Sequence, residues 1–381
     1  MAKDTLARNE VTEFAEGADE RIYAASQWQL MWWRLRQHRL AMLAGAVLSL
    51  FYLVALGAEF FATSDPQASS ARHGLMPPQP IHFFEGWRFS PHVYAVQGKR
   101  DLRTFQRVYE ADPTQKIPVR FFARGFEYKF LGVIPTNLHL LGVAGARAED
   151  TIFLLGTDLQ GRDLWSRLMY ATRISMTIGL VSVALSLFLG VLLGGISGFY
   201  GGWVDTLIQR LIEILRSIPT IPLWMGLAAA VPNHWSVTKM YFAITIIISL
   251  IGWTELARVV RGRFLSLREE DFVMAAELAG ASRLRIIFRH MVPSFMSHII
   301  AATTLALPAI IIAETSLSFL GLGMRPPAIS WGVLLQAAQQ VQAVALTPWL
   351  LVPALPVIIA VLAFNFLGDG LRDAADPYGQ H

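Results

Sequence analysis

The chain has no cysteine. Disulfides, thiolate metal sites and cysteine nucleophiles are therefore excluded. Charge is scarce as well: 16% of residues are Asp, Glu, Lys or Arg, where soluble domains carry about 25%. No G-x-x-x-x-G-K-[ST] occurs, so the backbone cradle and lysine that hold nucleotide phosphates are missing. H-E-x-x-H is absent too, and the nine histidines are scattered. His290 and His298 stand on either side of Pro293, which leaves no grouping at metal-ligand spacing. What is abundant is apolar sequence, with 54% hydrophobic residues and a mean hydropathy of +0.44. A length of 381 residues would suit two or three soluble domains of about 150 residues each, but long apolar runs put the core in a bilayer instead. A pI near 9.4 does not call for nucleic acid. The basic residues are mostly Arg beside the apolar runs, where they orient a membrane protein.

The first 27 residues are polar and acidic, without the basic start of a secretory signal, and the first apolar run reads as an uncleaved anchor. Apolar runs cover 40–61, 174–196, 214–231, 240–257, 295–320 and 347–367, each near the about 20 residues needed to cross a membrane. Six spans are expected. Trp32, Trp33, Arg34, Arg36, His38 and Arg39 form an aromatic and basic collar before the first, which favours a cytoplasmic N-terminus. Alternation then puts loop 258–294 in the cytoplasm, where its seven arginines belong, and leaves both chain ends there. Trp203, Trp224, Trp253, Trp331 and Trp349 fall near span ends, as an aromatic belt requires. Residues 62–149 form an extracytoplasmic insert, in which 116–123 and 128–134 read as short strands. The expected fold is an all-α integral membrane protein of six transmembrane helices, with a β-containing insert between helices 1 and 2. Its parts are a cytoplasmic N-terminal segment 1–39, helix 1 at 40–61, the insert 62–149, and a core 150–378 that contains the loop 258–294.

That loop carries the most distinctive pattern. Phe272, Ala275, Ala276 and Ala279 lie at i, i+3, i+4 and i+7, giving one helical face that is apolar and mostly small. Gly280 breaks the helix, Leu284, Ile287, Phe288 and Met291 repeat the apolar spacing, and Pro293 closes the segment. Two amphipathic helices outside the membrane need a cover, whether lipid headgroups, the protein itself or a partner. Elsewhere, Glu314 is a carboxylate inside an apolar run; it either lines a translocation path or pairs across a dimer, or else sits at the outer interface. Arg210 and Glu213 make an i, i+3 pair, and Arg162, Asp163 and Arg167 read as a capped, salt-bridged elbow before the second span. Six spans are half of a twelve-helix transporter, so pairing with a second subunit is expected.

Residues 268–293 resemble the cytoplasmic coupling loop of binding-protein-dependent ABC importer permeases, whose motif is E-A-A, three residues, Gly, nine residues, I-x-L-P. Ala275, Ala276, Gly280 and Pro293 match it, while Met274, His290 and Val292 depart from it. The departures suit the peptide-type branch, with Asp271-Phe272-Val273 ahead of the alanines. Further blocks of that branch are Gly156-Thr157-Asp158, Gly161-Arg162-Asp163, Gly201-Gly202-Trp203, Ser330-Trp331-Gly332 and Gly368-Asp369-Gly370-Leu371-Arg372-Asp373. The resemblance implies the second permease subunit of a peptide importer in the bacterial inner membrane, without catalytic, cofactor-binding or metal-binding residues of its own. ATP and Mg would be bound by two partner ATPase subunits; a homologous permease, an extracytoplasmic solute-binding protein and membrane lipid complete the partners, and nucleic acid is not one. In that role Phe272, Ala275, Ala276 and Ala279 dock on an ATPase, Gly280 turns the chain, and Arg283, Arg285 and Arg289 form a charged rim. Members with a long insert are also associated with oligosaccharides, which stand as the alternative cargo. Rival readings are an ion-coupled secondary transporter, which should show several buried carboxylates where Glu314 stands nearly alone, and an enzyme of the insert, where His73, His82, His92, Asp101 and Glu110 lack catalytic spacing.

Overall fold

The computed structural model describes residues 27–100, 102, 107–143, 151–339 and 345–375. Most of the predicted N-terminal segment, residues 144–150 and Asp101 lie outside them. Helices α1 (Gln27–Gln37), α2 (Arg39–Leu56) and the short α3 (Ala58–Phe61) precede strands β1 (His82–Glu85), β2 (Arg88–Arg100), β3 (Arg107–Phe130) and β4 (Ile134–Val143). Then come α4 (Leu164–Tyr200), α5 (Gly202–Ser217), α6 (Thr220–Ala229), α7 (Val237–Leu267) and α8 (Asp271–Leu278). Helix α9 starts as Arg283–Arg285, runs through a π-helical turn, Ile286–Met291, and ends as Val292–Ser294. Last are α10 (Met296–Phe319), α11 (Trp331–Gln336), a 3-10 turn (Pro348–Leu351) and α12 (Ala354–Ala375).

Among the described residues, five segments are long and apolar enough to cross a membrane: α2, α4, α7, α10 and Pro348–Ala375. The run predicted at 214–231 is not one straight helix. It is divided between α5 and α6, which meet at an angle of 87°. Pro219 causes the break, because the residue before a proline is driven out of the helical region; Ile218 has φ −91° and ψ 131°. Ser182 Oγ donates to the Thr245 carbonyl and Ser186 Oγ to that of Ser249, each at 3.4 Å. Farther along, Gly194 abuts Ala257 and Gly198 abuts Arg261 and Phe264. Residue numbers rise together in both helices, so α4 and α7 run parallel. Two parallel helices require a return between them, and α5 with α6 makes that return.

The other pairings alternate. Ser175 meets Glu314 and Gly179 meets Ile311, so α10 is antiparallel to α4. Gly368 abuts Leu305, and Gly370 abuts Ala41, which sets α12 antiparallel to both α10 and α2. One face of the bundle thus gathers α1, the ends of α4, α7 and α12, and the 268–294 hairpin. The opposite face holds the four strands and residues 320–339. Small residues allow the closest contact: a Cβ at Gly194 would lie 2.5 Å from the Ala257 carbonyl oxygen. Between helices in lipid, such close backbone approach is a main source of adhesion.

Helix α4 begins ten residues before the predicted span because Asp163 caps it, accepting from Ser166 N–H at 2.8 Å, Ser166 Oγ at 2.5 Å and Thr63 Oγ1 at 3.0 Å. Burial pushes the Asp163 carboxyl up, and these donors work against that. Asp158 pairs with Arg162 at 2.7 Å and lies 3.7 Å from Arg167, giving the expected salt-bridged elbow. The predicted belt is partly wrong: Trp253 and Trp331 are 3% and 0% exposed, packed inside the bundle. Trp331 owes its place to hydrogen bonds from its ring N–H to Thr172 Oγ1 at 3.2 Å and from its backbone N–H to Ser175 Oγ at 3.1 Å.

The strands form one antiparallel sheet in the order β1-β2-β3-β4. Strand β3 contains the predicted 116–123 strand, but 128–134 is a strand end, a tight turn and a strand start. Leu131 and Gly132 take positive φ there, and the chain reverses between Phe130 and Ile134. A small core of Val93, Val119 and Ile152 joins the sheet to the chain leading into α4. His139 fastens it to α3, with ring nitrogens 2.8 Å from the Glu59 carbonyl and 3.0 Å from that of Phe126.

Candidate functional site

The 268–294 hairpin is built from two helices with a left-handed residue between them. At the end of α8, Ala281 N–H bonds the Ala276 carbonyl at 3.1 Å and Gly280 N–H bonds that of Glu277 at 2.9 Å. With Gly280 at φ +75°, this is a Schellman cap. Any residue with a Cβ is strained in that conformation, so the glycine is demanded by the turn rather than by packing; nothing lies within 4 Å of where its Cβ would be.

The two helices turn part of their apolar surface inward. Val273, Ala276, Ile286, Ile287, Met291 and Val292 pack on Val191, Leu256, Val260, Phe264 and Phe295. Phe264 and Phe295 meet edge to face at 5.8 Å. This seat fixes the hairpin to α4 and α7 directly. Below it, Arg261 makes paired 2.6 Å bonds to both Asp205 oxygens, and Ser197 Oγ donates to Asp205 at 2.5 Å, tying the ends of α4, α5 and α7 together.

The predicted docking face is therefore divided. Phe272, Ala275, Ala279 and Gly280 are exposed, whereas Ala276 is 9% exposed and belongs to the seat. Ala276 is the one residue shared by two overlapping stripes: Phe272 with Ala276, and Val273 with Ala276. The seat takes Val273, whose size suits close packing on Phe264. In the second helix Ile287 and Met291 turn inward, while Leu284 and Phe288 stay out. What remains uncovered is a larger apolar surface than predicted: Phe272, Met274, Leu284 and Phe288 are about half exposed, and Leu278 is 90% exposed. Met274 and Leu278 lie off the predicted stripe, and the only signal for them is that apolar residues run almost all round α8. Arg285, Arg289 and Pro293 are exposed at the rim, and Arg283 stacks 4.9 Å over the Tyr200 ring.

Glu314 sits elsewhere. It is 0% exposed, and its carboxylate accepts from Ser175 Oγ at 3.0 Å and Ser318 Oγ at 2.8 Å. Ser175 Oγ also receives the Trp331 N–H, and Ser318 Oγ receives the Met324 N–H at 2.9 Å. The carboxylate thus pins the 320–331 connection and α11 between α4 and α10, and it lines neither of two clefts near the sheet. The larger cleft, about 1100 Å³, lies between the sheet and residues 64–79, with Ser64, Ser70, His73, Arg107, Gln115 and Asp163 among its walls. Many of its polar groups already serve the fold: Gln79 bonds Tyr94 and Phe153, Gln97 bonds Asp112, and Arg107 donates to the Ala71 carbonyl. Of the insert residues considered for catalysis, Glu110 pairs with Lys99 at 2.9 Å, and His82 and His92 stack on each other at 5.6 Å with the Tyr94 ring edge-on to His92, so these three form no common site.

Residues 190–378 match the family described as binding-protein-dependent transport system inner membrane component. Residues 26–78 match the N-terminal TM domain of oligopeptide transport permease C. The oligopeptide transport system permease protein OppC of Haemophilus influenzae is 41% identical over 237 residues, 62% of this chain and 73% of that protein. OppC of Bacillus subtilis is 40% identical over 223 residues, 58% and 70% of the two chains. The dipeptide transport system permease protein DppC of Alkalihalophilus pseudofirmus is 39% identical over 224 residues, covering 58% and 71%. Among solved structures, an inward-facing form of the MetNI methionine ABC transporter aligns over 54% of this chain and 95% of that one, at 17% identity and a TM-score of 0.41. The chain belongs to the binding-protein-dependent transport system inner membrane components, and among these to the permeases of the OppC and DppC type.

Proposed function

We propose that the chain is the permease subunit of an ATP-driven importer of peptides, with the 268–294 hairpin as its coupling element. The observation that carries this is the uncovered patch of Phe272, Leu278, Leu284 and Phe288 on a face that meets water, beside Arg283, Arg285 and Arg289. An apolar patch rimmed by charge is a partner surface. Since the chain lacks a phosphate-binding loop, the partner is the ATPase, which holds ATP and Mg. The hairpin face is then cytoplasmic, in keeping with its arginines, and both chain ends lie on that side. The sheet faces outward, where a solute-binding protein delivers cargo.

Mechanically, the seat matters as much as the face. Closure of two ATPases pushes on the exposed side of α8 and α9, and the inward side passes that push to α4 and α7 through close-packed side chains. Because packed cores switch between discrete arrangements rather than deform smoothly, the push becomes a change in which face of the bundle is open. A second, homologous permease pairs with this one to complete the path. Peptide is the cargo the named relatives support. The test is uptake of labelled oligopeptides into proteoliposomes that hold the full complex and its binding protein. ATP-dependent accumulation is expected; accumulation of oligosaccharides but of no peptide would overturn the cargo.

A further inference from the structure

The β3–β4 hairpin ends in Lys129-Phe130-Leu131-Gly132-Val133-Ile134, an apolar tip on a strand pair that otherwise carries many polar residues. Leu131, Val133 and Ile134 are each more than half exposed. Leu131 also has φ +52°. Hairpin turns that need positive φ take Asn, Asp or Gly there, because other side chains crowd the backbone. An apolar residue is thus held in a conformation that disfavours it, at a position open to water where a polar residue would relieve both problems. Such a local conflict marks a functional constraint.

The position of the tip identifies what covers it. The hairpin is clamped to the end of the first membrane helix: His139 bonds the Glu59 carbonyl, and the Phe122 ring lies 6.2 Å from that of Phe60. Arg173 of α4 bonds the Ala55 carbonyl at 2.6 Å and both Glu59 oxygens at 2.5 Å, so Glu59 is level with the third turn of α4. The Tyr128 ring lies 5.0 Å from that of His139, at that same level. The other end of the strand pair, Val119 and Val143, packs with Ile152 in the chain ahead of α4. The pair therefore runs from before the start of α4, past Glu59 at the third turn of α4, and on to the tip in the same direction. The lateral surface of α2 below it is uncovered apolar sequence, including Leu50, Leu53 and Leu56. The tip is therefore continuous with the lipid-facing side of the protein.

We propose that residues 130–134 insert into the headgroup and acyl boundary of the adjacent leaflet, so that the hairpin is a lipid anchor for the sheet. Lys129 stands at the base of the tip, where a cation meets lipid phosphates while apolar neighbours go deeper. The anchor fixes the sheet relative to the membrane plane and leaves the remaining edges of the insert free. It depends on the membrane orientation of the helices but not on cargo or on ATPase coupling.

The chain has no cysteine, so a single one reports without background. Val133→Cys in the full-length protein, spin-labelled and placed in nanodiscs of phosphatidylcholine and phosphatidylglycerol, should show an oxygen-to-nickel-chelate accessibility ratio severalfold above that of labelled Thr114→Cys on the water-exposed part of β3. Adding Leu131→Asn to Val133→Cys should leave thermal unfolding unchanged or improved and bring the ratio down to the Thr114 value. Equal ratios at 133 and 114 would overturn the proposal. So would a label at 133 that is water-accessible in nanodiscs and becomes protected only when a binding protein or second permease is added. Peptide uptake is measured separately, so failure of the anchor and failure of the importer reading are distinguishable.

Discussion

Replacing Leu278 with Asp separates the docking face from the seat. Leu278 is 90% exposed in the isolated chain, so the change should alter folding stability by no more than about 0.5 kcal/mol. If the ATPase buries this side chain, the lost apolar contact is worth about 1.5–3 kcal/mol. At about 1.4 kcal/mol per decade, that weakens ATPase binding roughly 10- to 100-fold. The matched control is Val273→Asp. Val273 is 1% exposed inside the seat, where an unpaired carboxylate costs several kcal/mol and should unseat the hairpin. The assay is titration of the ATPase onto the purified permease pair in nanodiscs, with thermal unfolding recorded for each variant. Leu278→Asp should lower affinity with an unchanged melting temperature, whereas Val273→Asp should lower both. Full affinity in a well-folded Leu278→Asp chain would refute the assignment of the exposed face.

The same reasoning extends to positions away from the hairpin. Glu314→Gln keeps an acceptor for one of the Ser175 and Ser318 hydroxyls and turns an N–H toward the other, and should cost about 1 kcal/mol with uptake retained, while Glu314→Ala strands both hydroxyls and should cost about 1–3 kcal/mol in thermal unfolding. Loss of uptake in a Glu314→Gln chain of native stability would make the carboxylate part of the cargo path instead of a structural pin. Gly194→Ala forces a methyl against the Ala257 backbone, which cannot yield as a side chain would, and should destabilise the detergent-solubilised protein by about 1–3 kcal/mol. An unchanged melting temperature there would contradict the close α4–α7 packing.

Much of this was legible in the sequence because membrane spans and helix breaks are written locally. The apolar runs located the five long apolar helices, the charges around Asp163 announced a capped elbow, and Gly280 announced the hairpin turn. Boundaries were missed where charge tolerance decides them: α4 starts early on its cap, and the apolar run at 214–231 is bent at Pro219 into two helices. The docking face was misjudged at Ala276 because periodicity gives a stripe without saying which side of the chain it faces. Only the packing of Val273 against Phe264 settles that. Glu314 was found as a buried carboxylate, yet its partners Ser175, Ser318 and Trp331 come from distant segments and no local pattern joins them. The 128–134 strand failed for a different reason. An apolar residue at positive φ, Leu131, hides a turn that Asn or Asp would have revealed.

The central claim is that one side of the hairpin belongs to this chain and the other to its ATPase. Cysteine scanning with a short bifunctional cross-linker tests it directly, since the native chain contributes no thiol. In the assembled complex, Phe272→Cys, Leu278→Cys and Phe288→Cys should each cross-link to the ATPase, and Ala276→Cys should not. Cross-linking from position 276 with none from 272, 278 or 288 would contradict the account.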